Sequence, residues 1–452
     1  MRVKTTIVIS LLCCLVLLCS CDYFGFDPVD SLIRAPKLSG DNGELQKVFE
    51  ASVGDKVVLK CPMSGKHRSA FTVMDIDADG IDEAIVFYAY TKDDTSARIN
   101  ILDKDSSGAW HSVADTYGPG SDVNSLSLID INGDGVSEIL VTWNVLDSKN
   151  KYVTIYGGYN CSTLSTGSIK NYITEMFTAM YPVDVDCDGQ DEIFITVQDA
   201  VLGEYIAYGR LLGYDSTLDK IYLKSEIKLD GAVVSYLSIT SDYMNNAARI
   251  YIDGVINADY IQTELVVWEP ETRRLVVPVD SDGKTWSAKT LRAQSMLSED
   301  KDGDGRIEVP SLLHLPGAVR FDSEQNITEK LFLNVRSALV DDSLKDVEIF
   351  IDNPNARYFF NIPSEWIGVV TAKFNVKENI LQFYSYDVSN DSPETHLFSL
   401  FTIDSNNKEL LNSVDKFIIF EGKSLISYAE ISPSGIQFGI SQELIREYFI
   451  AY

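Results

Sequence analysis

Four short segments of the chain hold acidic residues at one fixed spacing. With each segment numbered from 1 to 9, positions 1, 3 and 5 are Asp75, Asp77 and Asp79; Asp130, Asn132 and Asp134; Asp184, Asp186 and Asp188; and Asp300, Asp302 and Asp304. Position 6 is always glycine (Gly80, Gly135, Gly189, Gly305) and position 9 always glutamate (Glu83, Glu138, Glu192, Glu308). Three oxygen-bearing side chains at alternate positions of a tight turn face one side, the glycine permits the turn, and the glutamate closes the cage. The backbone carbonyl of position 7, on Ile81, Val136, Gln190 and Arg306, adds a further oxygen. Hard oxygen ligands of this number, with water completing the shell, suit calcium; magnesium fits less well because it retains more of its own waters. The pattern therefore predicts up to four calcium ions, and substituting Asp77 or Asp186 is expected to remove one site's effect and leave the others. A solvent-facing acidic turn would explain one copy, but not four with the same spacing.

The elements that position these loops repeat with them. The first positions lie 55, 54 and 116 residues apart, and the long interval is filled by a worn copy from Ser241 to Arg249, so five units recur from about residue 60 to 320. In the worn copy Ser241, Tyr243 and Asn245 stand at positions 1, 3 and 5 and Arg249 replaces the glutamate, so calcium is not expected there. Two readings of Arg249 stand: its cation replaces the ion by bonding nearby carbonyls or carboxylates, or it faces water. A short apolar run precedes each acidic loop and a strongly β-prone run follows it, as in Ala84–Tyr90, Ile139–Trp143 and Ile193–Val197. Further strands are expected near 97–102, 152–156, 205–211 and 264–268, and no helical pattern of comparable length appears. Units of three or four strands that cannot bury their apolar faces alone call for a radial array of small sheets. A helical EF-hand fits badly, since β-type runs flank every loop and no glutamate recurs at position 12.

On these four loops and their spacing, the segment from about 60 to 320 resembles the FG-GAP or VCBS repeats of calcium-binding β-propellers. It departs from the commonest loop in carrying Glu83, Glu138, Glu192 and Glu308 where Asp is usual, and the Phe-Gly and Gly-Ala-Pro signatures are essentially missing. The resemblance implies ions between the first two strands of each blade, stiffening it, with partner recognition on other loops. The expected fold class is mainly β: a calcium-loop β-propeller of at least five repeat units over 41–352, followed by a small α+β domain over 353–452. Blade number stays open, because residues 25–60 together with strands near 330–335 and 346–351 can supply one more.

The chain begins with two cations, Arg2 and Lys4, and an apolar run from Ile7 to Leu18 interrupted only by Ser10. That run is too short for a spanning helix and reads as an export signal over 1–20. Leu18-Cys19-Ser20-Cys21 resembles the lipobox of bacterial lipoproteins, which implies cleavage before Cys21, acylation on it, and a tether over 21–40. An ordinary secretory signal cut nearby is the alternative. The expected location is the extracytoplasmic face of the cell membrane, held by membrane lipid. Only Cys61, Cys161 and Cys187 then remain, an odd number at wide spacing that excludes a disulfide framework and allows one pair.

A formal charge of −29 and no cluster of Lys and Arg exclude a nucleic-acid binder. Forty-five per cent hydrophobic residues exclude disorder as the cause of the acidity. Past Arg357 the acidic loop disappears; strands are expected near 380–386, 397–403 and 416–421, and a short helix near Ser441–Glu447. Trp366 and its aromatic neighbours read as core, with an exposed recognition edge as the alternative. Four scattered histidines and the absence of a nucleophile elbow, a zinc-binding helix motif or a phosphate loop leave no catalytic constellation. The expected function is a calcium-stabilised, membrane-anchored binding or interaction protein with a protein or glycan partner. A propeller enzyme acting on carbohydrate and a structural envelope-assembly scaffold are the alternatives.

Overall fold

The β-prone runs beside the first three acidic loops fold as antiparallel pairs, and the strands that follow extend each pair into a small sheet. The computed structural model describes residues 41–452 apart from 55, 92–95, 147, 149, 158–168, 202–203, 280–282, 294–295, 322–326, 341–342, 388, 390–391 and 407–415. The expected signal segment, Cys21, the tether and Cys161 lie outside the described residues. Cys61 and Cys187 are exposed free thiols.

The first sheet contains β1 (Val57–Leu59), β2 (Phe71–Met74), β3 (Glu83–Tyr90), β4 (Arg98–Lys104) and β5 (Trp110–Tyr117). β3, β4 and β5 follow one another, while β2 and β1 share the other edge of β3. The second sheet runs β6 (Asp122–Ile129), β7 (Glu138–Asn144), β8 (Lys151–Gly157), β9 (Lys170–Phe177). The third runs β10 (Ala179–Val183), β11 (Glu192–Val201), β12 (Glu204–Asp215), β13 (Lys220–Leu229). The fourth runs β14 (Ser235–Met244), β15 (Ala247–Val255), β16 (Tyr260–Glu269), β17 (Arg274–Val276), with β18 (Arg292–Ala293) also on β16. In the second and third sheets strand order in space follows order in sequence, which short turns enforce, whereas in the first β1 joins β3 beside β2 and in the fourth β18 returns to β16.

Contacts divide into two compact units. One runs to Ile129 and takes in Gly135–Ser148 and Tyr152–Thr174; the other takes Asp130–Asp134, Lys149–Lys151 and Glu175–Tyr452. In the first unit β3 explains its own near-continuous apolar run, because both of its faces are covered. Ile85 and Phe87 join Ile99, Val141 and Trp143 on one side, while Ala84, Val86 and Tyr88 face Leu45, Phe49 and Trp110 on the other. Leu45 and Phe49 belong to α1 (Asp41–Val53), a helix that corrects the all-strand expectation for this region. Its apolar residues at i and i+4 form one stripe, and Phe49 meets Phe71 and Tyr88 edge-on.

In the second unit the third and fourth sheets share a core of Phe194, Leu211, Ile250, Ile252, Val266 and Trp268. The remaining strands are β19 (Glu308–Phe321), β20 (Ile327–Val340), β21 (Ser343–Asn353), β22 (Tyr358–Asn361), β23 (Val370–Asn375), β24 (Ile380–Asp387), β25 (Ser392–Asp404), β26 (Lys416–Glu421), β27 (Leu425–Ile431) and β28 (Phe449–Ala451). They form one sheet in the order β26-β27-β25-β24-β23-β19-β20-β21-β22-β28. The sequence places a domain boundary between 352 and 353; this sheet carries strands from both sides of that position. Trp366 is buried with Phe360, Phe383 and Phe398 in its core, which favours the packing reading. Ser441 caps α3 (Gln442–Tyr448) by accepting the Leu444 N–H, and the preceding α2 (Pro433–Phe438) ends at Gly439, whose φ is +96°.

Candidate metal centres

The ladders set where each acidic loop opens and closes. The residue before position 1 pairs with the glutamate of position 9 in all four copies: Met74 with Glu83, Ile129 with Glu138, Val183 with Glu192, and Glu299 with Glu308. Eight residues must therefore turn back between two strand positions that lie roughly 5 Å apart. Position 6 meets that demand with φ of +89°, +86°, +90° and +87° at Gly80, Gly135, Gly189 and Gly305. Position 4 is left-handed as well, at Ala78, Gly133, Cys187 and Gly303, with φ of +60°, +74°, +56° and +79°. The sequence reading assigned no role to position 4, although glycine at two of the four copies was the available signal.

The carboxylates order their own loops. Position 1 accepts the N–H of position 6, at 3.0 Å from Gly80 to Asp75, 2.9 Å from Gly189 to Asp184 and 3.0 Å from Gly305 to Asp300. Position 5 accepts the N–H of position 7 from Ile81, Gln190 and Arg306 at 2.7, 2.9 and 2.8 Å. The buried glutamates Glu83, Glu192 and Glu308 each accept the N–H of position 2 through Oε2, from Ile76, Val185 and Lys301. Carboxylate oxygens lie within 4.8 Å of one another in three groups: Asp75, Asp77 and Glu83; Asp184, Asp186 and Glu192; and Asp300, Asp302 and Asp304. These acidic clusters can hold a metal ion.

The loops differ in what faces those oxygens. In the first, Glu83 is 0% exposed and its Oε1 is buried without a hydrogen-bond partner. Burial pushes its pKa up to about 7 against the pull of the Ile76 N–H, and the charges of Asp77, Asp103 and Asp79 add to the rise. A bound cation would satisfy that oxygen, so the first loop fits a metal. In the fourth, Asp300, Asp302 and Asp304 converge at the surface and Glu308 is buried behind them. In the second loop Asn132 stands at position 3. The turn is ordered by Gly133 and Asp134 N–H groups donating to Asp130 and Asn132 at 2.8 and 2.9 Å, and Glu138 is buried. In the third loop a cation is already present: Lys224 Nζ donates to Asp186 Oδ2 at 3.0 Å and to Glu192 Oε1. Burial opposes the ammonium charge, but the hydrogen bonds and charges of Glu192 and Asp186 hold its pKa above the ordinary lysine value. Lys224 was not found in the sequence, because it enters from β13, 32 residues beyond Glu192.

The fifth unit has no loop. Met244 pairs with Ala247 across a two-residue turn in which Asn245 and Asn246 both have positive φ, +55° and +59°. Asparagine tolerates this conformation, and a primed turn of this length matches strand twist. Arg249 is buried, donates to Asp242 at 2.5 and 2.6 Å and to the Leu339 carbonyl at 2.8 Å, so it bonds a carboxylate and a carbonyl rather than facing water.

Away from the loops, a cavity of about 290 Å³ is lined by residues including Lys228, Asp230, Glu264, Thr285, Trp286 and Ser287. Glu264 accepts the Asp230 N–H at 2.7 Å through Oε2, while its Oε1 is buried and unpartnered. Burial pushes its pKa up to about 7; the Asp230 N–H opposes the rise and the Asp230 charge adds to it. This group was missed because nothing in its local pattern separates it from the other residues of β16.

No family model matches the chain, and no curated protein matches it. Among solved structures it is similar to a GH43 β-1,3-galactosidase bound to galactodeoxynojirimycin, with 8% identity over 64% of this chain and 96% of that one and a TM-score of 0.23. It is similar to a protein of unknown function from Dyadobacter fermentans, with 9% identity over 83% and 98% and a TM-score of 0.29. A hypothetical protein from Leishmania major shows 10% identity over 69% and 94% at 0.23. Likeness at this level carries no argument about activity. The chain is a mainly β protein of four small sheets and one ten-stranded sheet, with three acidic clusters that could hold a metal ion. Among the described residues no helix is long and apolar enough to cross a membrane.

Proposed function

We propose that the chain is a calcium-stabilised β-propeller of FG-GAP or VCBS type, lipid-anchored through Cys21 on the extracytoplasmic face of the membrane, that works as a binding or interaction protein. The observation that carries the calcium reading is the buried, unpartnered Oε1 of Glu83 beside Asp75 and Asp77. Leaving a charged acceptor unpaired costs stability, and a divalent cation would remove that cost while tying β2 to β3. Glu83, Asp75 and Asp77 would hold the ion, with Asp79 and the Ile81 carbonyl as further ligands. Equilibrium dialysis with calcium tests this: Asp77→Asn binds one ion fewer than the wild type, and an unchanged count rejects the first loop as a site.

The anchor reading rests on the run Leu18-Cys19-Ser20-Cys21. Cys21→Ser is expected to move the protein from the membrane fraction to the soluble one, and its retention there would reject lipidation at that residue. The proposed partner is a protein or a glycan, met by loops other than the acidic ones. A second reading, an enzyme acting on carbohydrate, is favoured by one observation: the cavity places Glu264, with a pKa in the range of a general acid, beside Asp230 and the ring of Trp286. Hydrolysis of a glycan panel that is lost in Glu264→Gln would support it, and no hydrolysis by the wild type would remove it.

A further inference from the structure

We propose that Lys224 is the built-in cation of the third acidic loop, and that this loop takes no calcium while Lys224 is in place. The inference rests on the reading that the acidic loops are calcium sites, and it divides them into two kinds.

The third loop repeats the first in every feature that builds a cage. It has Asp at positions 1, 3 and 5, glycine with positive φ at position 6, the same register between position 9 and the preceding strand, and a buried glutamate at position 9. The difference is what the two closing oxygens meet. Glu83 Oε1 has no partner, whereas Glu192 Oε1 accepts from Lys224 Nζ, which also reaches Asp186 Oδ2 at 3.0 Å. Those carboxylates are positions 3 and 9, two of the three groups whose oxygens converge. An ammonium hydrogen-bonded to both lies between two of the carboxylates a metal would use, and the two cations would repel across it, while Asp186 Oδ1 stays buried without a partner.

The site is built for that lysine. Its side chain is 12% exposed, and its ammonium lies 5.1 Å from the ring centroid of Trp268 on β16, a cation–π contact that holds it from the next sheet. Gly213 on β12 leaves room for the stem, since a Cβ there would lie 3.1 Å from Lys224 Cδ and 3.5 Å from Glu192 Cγ. The second sheet uses a glycine in the same way with a different neighbour: a Cβ on Gly157 would meet the Tyr172 ring and Glu138 Cγ. There the neighbouring ring has a lysine over it, with Lys170 Nζ 4.6 Å from the Tyr172 centroid. In the third sheet the lysine bonds the position-9 glutamate directly. Its loop gains from Lys224, at all calcium concentrations, the strand-to-strand tie that the first loop gains from an ion.

Calorimetric calcium titration of the full-length protein, comparing wild type, Lys224→Met and Lys224→Arg, tests the assignment. Lys224→Met binds one ion more than the wild type, and Lys224→Arg binds the wild-type number. Calcium binding by the wild type with no gain in Lys224→Met overturns the inference and leaves the calcium reading standing; no calcium binding by any of the three overturns both. A second measurement needs no variant: amine labelling of the wild type read by mass spectrometry. Lys224 is equally protected in calcium and in chelator, and a several-fold rise in its labelling on adding calcium would show the lysine expelled by the ion and overturn the proposal.

Discussion

Arg249 on β15 and Asp242 on β14 stand opposite each other and form a two-pronged ion pair, each residue 2% exposed. The carboxylate also accepts the N–H of Ile307, within the fourth acidic loop, at 3.0 Å, and the guanidinium donates to the Leu339 carbonyl on β20. A hairpin without a metal loop thus fastens the sheet that follows it with a side-chain cation.

Removing one member of such a pair leaves the other buried and uncompensated. Arg249→Met is expected to lower stability by about 3–5 kcal/mol. Arg249→Met/Asp242→Asn is expected to recover part of that loss, because no charge is then left buried. Denaturant midpoints of the two variants check this, and a double variant less stable than the single one would reject the account of the pair.

Glu83 should show opposite signs with and without calcium. In chelator at pH 8, Glu83→Gln removes a buried charge whose Oε1 has no partner and is expected to be more stable than the wild type by about 1 kcal/mol or more. In saturating calcium the order reverses, since the variant has lost a ligand. Parallel thermal melts in the two buffers test the reversal.

Backbone strain at position 4 predicts stabilisation by glycine. Ala78 has φ of +60° with a Cβ in a region that L-residues enter at a cost. Ala78→Gly is expected to gain up to about 1 kcal/mol, and Gly303→Ala to lose about the same, since a Cβ on Gly303 would meet nothing within 4 Å and only the backbone objects. Chemical denaturation in chelator separates this from any change in metal binding.

Glu264 predicts a pH dependence of its own. Its folded pKa of about 7 lies above the ordinary value of 4.5, so the folded state binds the proton more tightly. The stability this contributes is full below pH 4.5 and is lost as pH rises through about 7, a change on the order of 3 kcal/mol. Glu264→Gln is expected to flatten this part of the profile, so that its stability relative to the wild type improves from pH 5 to pH 8. Equal differences at the two pH values would show that Glu264 titrates normally.

Much of the first four sheets was legible because their information is local. The runs at 84–90, 139–143 and 193–197 became β3, β7 and β11, and three acidic loops join neighbouring strands, β2 to β3, β6 to β7 and β10 to β11. The rest depended on contacts between residues far apart in sequence. Lys224 reaches Glu192 from the fourth strand of its sheet, and Asp242 reaches Ile307 across 65 residues. The fifth unit was read as a worn loop, but Asn245 and Asn246 accept left-handed conformations and replace it with a two-residue turn. Helix α1 was missed because its stripe of Leu45 and Phe49 is short and gains meaning only from Phe71 and Tyr88 beneath it. Strands were legible past residue 353, but not that β22 and β23 join the sheet of β19 to β21.

The central claim is that calcium binds the folded loops and stabilises them. Thermal melting of the wild type across a calcium titration tests it most directly: ligand at about 100 times its Kd adds about 2.7 kcal/mol per site. The account predicts a melting temperature that climbs with calcium concentration and falls back on adding chelator. A melting temperature indifferent to calcium, with no heat of binding, would contradict it.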